Sequence, residues 1–188
     1  MNEAHLNYLA SPDWKRQLET DLLPWIERVA DLGDDVLEVG PGPGLTTDIL
    51  RTRTEQVTAV EIDDALASGL TERLAGTNVE VIHGDASATD LAADRFTAAT
   101  CFSMLHHVPS ADAQDRVLAE ILRVLRPGAG LFSVDARDLD WLRDAHEDDT
   151  FVPLDETTLV DRLLELGYAS VDLDVTDYEL RFVARKAG

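Results

Sequence analysis

The sequence predicts an α/β fold: a mostly parallel β-sheet with helices on both faces, ending in an antiparallel hairpin. Three observations carry this. Short apolar runs alternate with amphipathic stretches five times across residues 1–135, the pattern of repeated βαβ units. Near the C-terminus two alternating segments are separated only by a turn at Thr176-Asp177, and so short a link allows only antiparallel pairing. A glycine-rich turn joins the first strand to the next helix, the place where open α/β sheets bind ligands.

The elements follow in order. Ser11-Pro12-Asp13 opens a helix with a capping hydroxyl, a proline at the first helical position and an acid in the positive first turn. Trp14, Leu18, Leu22, Trp25, Ile26 and Val29 continue it at helical spacing, and Pro24 should kink or divide it. Residues 36–39 form strand one, and residues 45–50 begin a helix. Residues 57–61 form strand two, 63–74 a helix closed by Gly76, and 79–82 strand three. Strand four covers 96–101. Ser110 caps a helix with Val117, Leu118, Ile121, Leu122 and Leu125 on its apolar face, stopped by Pro127-Gly128 before a fifth strand at 131–134. Asp155 is expected to cap a last helix running through Leu166. Val171, Leu173 and Val175, then Leu180 and Val183, make the hairpin.

A chain of 188 residues fits one domain large enough to bury a real core. Its 45% hydrophobic and 28% charged residues are those of a globular protein. The expected organisation is a single domain over 1–188: an N-terminal helical lid (1–33), a ligand-binding core (34–135), and a loop, last helix and hairpin (136–188). The charge is unusual, with 37 acidic against 16 basic residues and a formal net charge of −21. Such a field repels polyanions, so neither a nucleic acid nor an anionic membrane is expected as partner. Cys101 is the single cysteine, which excludes an intramolecular disulfide and a cysteine metal cluster. The first residues lack the basic and apolar regions of a signal peptide, and the longest uncharged stretch, residues 96–111, is shorter than the ~20 residues of a membrane span. The expectation is a cytoplasmic protein, monomeric or homodimeric.

The chemistry lies in acids and glycines at strand ends. Glu38-Val39-Gly40-Pro41-Gly42-Pro43-Gly44 lets the backbone turn sharply and approach a ligand closely. The dinucleotide pattern would need glycine at position 45, where Leu45 stands. Glu38, two places before the first glycine, suits a ligand with positive charge rather than a pyrophosphate. Glu61 ends strand two, where a carboxylate can accept from both ribose hydroxyls. Asp85 follows strand three, placed to accept from an adenine amino group. Three acids at three consecutive strand ends point to an adenosine with a cationic, phosphate-free tail.

These motifs, with Gly-Asp-Ala at 84–86, Met-Leu-His-His-Val at 104–108 and Leu-Arg-Pro-Gly at 125–128, occur in an order that resembles class I S-adenosylmethionine-dependent methyltransferases. The likeness runs over residues 33–135 and implies a Rossmann-like, seven-stranded sheet with S-adenosylmethionine as cofactor. It implies that Gly40, Gly42 and Gly44 line the methionine and ribose portion, with Glu38 facing the methionyl amino group. Glu61 would hold the ribose, Ile62 would pack on the adenine, and Asp85 and Ala86 would bind its edge. Cys101, Phe102 and Ser103 would lie beside the sulfonium methyl. The family usually has Phe-Asp at the start of strand four, where this chain has Phe96-Thr97; the change is read as a tuning of stability.

His106 is the candidate general base for an O–H or N–H acceptor, set against a structural role for the His106-His107 pair. Tyr8, Trp141 and Phe151 are the candidate acceptor contacts. No metal is expected, and Glu147, Asp148 and Asp149 are read as a solvated loop. After strand four there is no Asn/Asp-Pro-Pro-aromatic turn of amino-group nucleic-acid methyltransferases, and after strand five Asp135-Ala136 stands in place of the Asp-Asn pair of catechol enzymes. The expected function is methyl transfer to a small-molecule acceptor. The alternative is a catalytically silent S-adenosylmethionine-binding partner protein.

Overall fold

The computed structural model describes residues 3–29 and 31–188. Two short helices, α1 (Glu3–Leu9) and α2 (Pro12–Gln17), lead into a π-helical turn (Leu18–Leu22) and α3 (Leu23–Val29). Ser11 caps α2 by accepting from the Trp14 amide at 3.2 Å. The expected interruption at Pro24 is this π turn. Pro24 is the second residue of α3, which runs on directly from the π turn, and the wider turn before it accommodates a residue that cannot donate into the helix.

The remaining elements are β1 (Asp35–Val39), α4 (Leu45–Leu50), β2 (Gln56–Glu61), α5 (Asp64–Arg73), β3 (Val79–His83) and β4 (Phe96–Phe102). After a 3₁₀ turn at Leu105–His107 come α6 (Ala111–Val124), β5 (Leu125–Ala136), α7 (Asp140–Ala145), α8 (Leu159–Leu166), β6 (Ser170–Val175) and β7 (Glu179–Arg185). The sheet has seven strands in the order β3-β2-β1-β4-β5-β7-β6. The pairs from β3 to β5 are parallel; β7 runs antiparallel to both β5 and β6. The order reverses between β1 and β4, and the chain leaves their tips toward opposite faces of the sheet, which opens a crevice between them.

Period-2 alternation divides the apolar side chains between two faces. On one face Leu37, Ala99, Leu131 and Phe182 pack against Val117, Leu118 and Ile121 of α6 and Leu159 and Leu163 of α8. On the other Val36, Ala98, Phe132 and Val183 pack against Trp14, Leu18, Trp25 and Ile26 of the N-terminal helices and Leu50 of α4. Each fully buried aliphatic or aromatic side chain contributes roughly 1.5–3 kcal/mol. Arg181 on β7, buried to 9% exposure, joins Asp21 of the π turn and Glu179, fastening the N-terminal helices to the sheet.

Several expectations need correction. β5 begins at Leu125, six residues before the expected start, because Leu125 pairs with Phe96 across an irregular register before the regular ladder begins at Gly130. The last helix starts at Leu159 rather than at Asp155. The Asp155 carboxylate instead accepts from the amide and hydroxyl of Thr157, closing a turn ahead of the helix. The stretch read as loop after β5 contains α7, and Asp149 turns inward, its side chain 6% exposed. Thr97 ties the start of β4 to the turn before β1: its hydroxyl lies 2.7 and 2.8 Å from the Leu32 and Asp35 carbonyls and accepts from the Asp35 amide. Among the described residues no helix is long and apolar enough to cross a membrane.

Candidate functional site

The carboxyl ends of the parallel strands open onto a cavity of about 540 Å³, within the ~300–1,000 Å³ range of small-molecule and cofactor sites. Its walls come from successive strand tips: Gly40 and Gly42 after β1, Glu61 and Ile62 at β2, Asp85 and Ala86 after β3, and Met104 and His107 after β4. Gly40 and Gly42 have φ of 68° and 54°, a region L side chains rarely enter. A Cβ on Gly40 would sit 2.3 Å from Met104 Cγ, whereas one on Gly42 would meet only Leu9 at 4.0 Å. The first glycine is thus required by packing, the second by backbone conformation beside open space. Gly44 opens α4, where a Cβ would meet Leu70 at 2.4 Å and Arg73 at 2.5 Å.

Glu61 holds this turn in shape. Its Oε2 accepts from the Gly42 amide and its Oε1 from the Asp63 amide, each at 3.0 Å. A carboxylate oxygen has two lone pairs, so each oxygen keeps one for a ligand. Asp85 is locked by an Asx turn, accepting from the Ser87 amide at 2.8 Å. Ile62 is 69% exposed over the cavity, a large apolar face available for stacking.

A narrow pocket beside Gly40 is lined by Glu38, Phe102 and Ser103. Glu38 is 2% exposed. Burial pushes its carboxyl up to about 7; the Thr47 hydroxyl opposes the shift, and the Asp48 and Glu61 carboxylates add to it. Its Oε2 is buried with no hydrogen-bond partner among the described residues. Such an atom costs free energy until a donor reaches it. Ser103 has φ of 50°, a strained conformation for a residue with a Cβ and one that gathers at functional sites. Cys101 lies fully buried in the core cluster of the α6 face, and burial pushes its thiol well up.

A second cavity of about 570 Å³ adjoins through Ser103, Leu9 and Trp14, which line both it and the narrow pocket. Tyr8, Trp141 and Tyr178 stand exposed in its wall, and His106, Asp135 and His146 form its inner end. Tyr8 and Trp141 therefore meet at one cavity as expected candidates. Phe151 lies behind, its ring stacked on His146 at 4.4 Å and edge-on to His106 at 5.6 Å.

Asp135, 1% exposed at the end of β5, accepts from the Leu105 and Ala136 amides at 2.8 Å and from His106 Nδ1 at 2.5 Å. Burial works to raise its pKa. The His106 charge and hydrogen bond and the two amides override it, holding the carboxyl below its ordinary value. The ionised carboxylate fixes the tautomer of His106, with Nδ1 as donor. Sequence reasoning gave Asp135 no role, read His107 as structural, and set aside a metal site of His146 with Glu147, Asp148 and Asp149. For Asp135 the signal was available: it is a strand-tip acid like Glu61, three strands across the sheet. His146 carries no such signal, since only tertiary folding brings it to the other two imidazoles.

The description "methyltransferase domain" belongs to the family model that matches residues 37–133. Among curated relatives, the ribosomal RNA small subunit methyltransferase A of Deinococcus radiodurans is 49% identical over 61 residues, covering 32% of this chain and 21% of that protein. The ubiquinone biosynthesis O-methyltransferase of Pseudomonas fluorescens is 33% identical over 142 residues, 69% of this chain and 60% of that protein. The chain therefore spans less than two thirds of either relative. A SAM-dependent methyltransferase from Aquifex aeolicus shares the fold, with a TM-score of 0.73 at 19% identity over 98% of both chains.

Proposed function

The chain belongs to the methyltransferase-domain family, and from that premise we propose that it transfers a methyl group from S-adenosylmethionine to a small-molecule acceptor held in the second cavity. The observation that carries the reading is the charge of the first cavity and its annexe. Glu61, Asp63, Asp85 and Asp149 face Arg116 around the larger space, and the partnerless oxygen of buried Glu38 waits beside Gly40. That wall repels a pyrophosphate and suits a cationic adenosine derivative.

When bound, S-adenosylmethionine supplies a methyl group already activated by positive sulfur, so no protein nucleophile is required. The chain's own residues position and shield. Glu38 would receive the cationic amino group, Glu61 the ribose hydroxyls through its remaining lone pairs, and Ile62, Asp85 and Ala86 the adenine. Gly40 and Gly42 keep side chains out of the way, with Gly44 supporting the turn from behind. Phe102 and Ser103 line the narrow pocket beside Gly40, and Ser103 lines the second cavity as well, while Cys101 lies in the core at the end of β4. Tyr8 and Trp141, backed by Phe151, would hold the acceptor in line, and such positioning is worth about 7–11 kcal/mol of barrier. His106, held by Asp135 at the end of the acceptor cavity, is the group that would act on the acceptor's heteroatom. The net charge of −21 argues for a small molecule over a nucleic acid.

Calorimetry with S-adenosylmethionine, its demethylated product and a nicotinamide dinucleotide tests the cofactor. Binding of the first two and not the third is expected; the reverse order would overturn the reading. Release of S-adenosylhomocysteine across a panel of phenols, thiols and carboxylic acids then tests transfer itself. Tight cofactor binding with no turnover on any panel or extract would instead mark a silent binder.

A further inference from the structure

We propose that His106, His107 and His146 form a binding site for one divalent transition-metal ion of the zinc class. Each offers a ring nitrogen, and the three nitrogens lie within 4.8 Å of one another. The ring centroids are 4.2, 5.0 and 5.3 Å apart. Two of the imidazoles come from the 3₁₀ turn after β4 and the third from the end of α7, so folding alone assembles the group.

The hydrogen bonds around the rings select which nitrogens face inward. Nδ1 of His106 donates to Asp135 at 2.5 Å, that of His107 to the Thr150 carbonyl at 3.2 Å, and that of His146 to the Leu142 carbonyl at 2.6 Å. A carbonyl oxygen can only accept, so each Nδ1 carries the proton and each Nε2 the lone pair. Carboxylate or carbonyl acceptors behind every imidazole are the outer shell that fixes tautomer and orientation at histidine metal sites. Asp135 is buried and Asp149 lies 3.7 Å from His107 Nδ1, which adds negative charge for a dication. Phe151 stacked against His146 shields one side.

Imidazole nitrogen favours zinc, iron, nickel or copper over magnesium or calcium. Zn–N bonds of ~2.0–2.1 Å in tetrahedral geometry set ligands roughly 3.3–3.4 Å apart, so the rings close inward by about an ångström on binding. Three protein ligands leave a fourth position open, as catalytic zinc sites do. His107 lines the first cavity and His106 and His146 the second, which puts that position at the boundary between them. The role there rests on the proposed methyl transfer, with His106 acting through the ion instead of as a base: an acceptor hydroxyl or thiol bound to the ion gives up its proton to solvent more readily and meets the methyl group as the anion.

The test is titration of untagged, metal-stripped protein with cobalt(II), read by its visible absorption, then with zinc(II). One cobalt per chain is expected, with the intense bands of low-coordinate cobalt and displacement by one equivalent of zinc. Asp135→Asn should weaken binding by ~10–100-fold, and His107→Ala or His146→Ala by more than that. Buried His106 is left intact, since its loss can compromise folding. No saturable binding, or binding that these substitutions leave unchanged, would overturn the site. S-adenosylhomocysteine binding to the wild-type protein is measured separately: its loss sinks the cofactor reading and leaves the metal site standing.

Discussion

The two cavities are built in different ways. The wall of the first comes from the residues that end β1, β2 and β3, each placed by the strand it terminates and held by local bonds such as Glu61 to Gly42 and Asp85 to Ser87. The second gathers Tyr8, Ser103, Asp135, His146 and Tyr178 from distant stretches of chain. Part of its wall is α7, none of whose residues is buried. A cofactor common to many enzymes can be held by a local, backbone-anchored design. An acceptor peculiar to one enzyme is met by exposed side chains on weakly packed elements, which can change without unfolding the sheet.

If that contrast is right, damage to the first cavity couples to stability. The largest effect is expected from Gly40→Val. The new side chain must occupy a left-handed conformation and displace Met104, whose Cγ lies 2.3 Å from the Cβ position. Strain and overpacking together cost ~3–5 kcal/mol, and cofactor binding should be lost. A denaturant midpoint equal to wild type would show that the turn is not held as described.

Next comes Glu38→Gln, where the sign matters. The folded carboxyl is pushed up to about 7 from an ordinary 4.5, so the folded state holds a proton that the unfolded state has released. Stability from this group is whole below pH 4.5 and is lost as the pH rises to about 7. The loss is on the order of 3 kcal/mol, at 1.36 kcal/mol per unit. Glutamine cannot ionise, so the wild-type and variant stability curves should diverge across that window and run parallel above it. Curves parallel throughout would mean that the Glu38 environment is not apolar. In the wild type alone, S-adenosylmethionine should recover much of the loss, because its ammonium compensates the buried carboxylate.

A smaller effect falls on affinity. Gly42→Val and Glu61→Ala should each weaken cofactor binding at least ~10-fold, about 1.4 kcal/mol. Gly42→Val should also lower stability by ~1–3 kcal/mol, less than Gly40→Val, because a β-branched residue is strained at φ 54° even though a Cβ there meets nothing closer than 4.0 Å. Unchanged affinity in both would end the assignment of this cavity to the cofactor.

The same contrast explains what the sequence could reveal. The parallel core was legible because fully buried strands such as 36–39 and 98–102 read as apolar runs, and the hairpin because Val171, Leu173 and Val175 of β6 alternate with polar residues. That Glu38, Glu61 and Asp85 would stand together beside a cavity was legible because a strand tip is a fixed place in the sheet. The features passed over depend on tertiary contact. α1 and α7 are too short for an apolar periodicity to register. The first residues of β5, Arg126-Pro127-Gly128, look like a stop signal, yet Leu125 is drawn into the sheet by Phe96. The histidine cluster joins residues 40 positions apart in the chain, and no spacing rule links His107 to His146.

The smallest expected effect, and the sharpest test of the contrast, is Trp141→Ala. Its side chain is 56% exposed on α7 and lines only the second cavity among those described. A half-exposed residue outside the core should change stability by no more than ~0.5 kcal/mol, and cofactor affinity should stay at the wild-type value. Removing an aromatic wall should instead appear in KM for the acceptor, with kcat less affected, because uniform binding is what has been lost. A drop in S-adenosylmethionine affinity, or a fall in kcat with KM unchanged, would mean that α7 shapes the cofactor end of the site as well. The two cavities would then be one cooperative unit rather than a rigid half and an adaptable half.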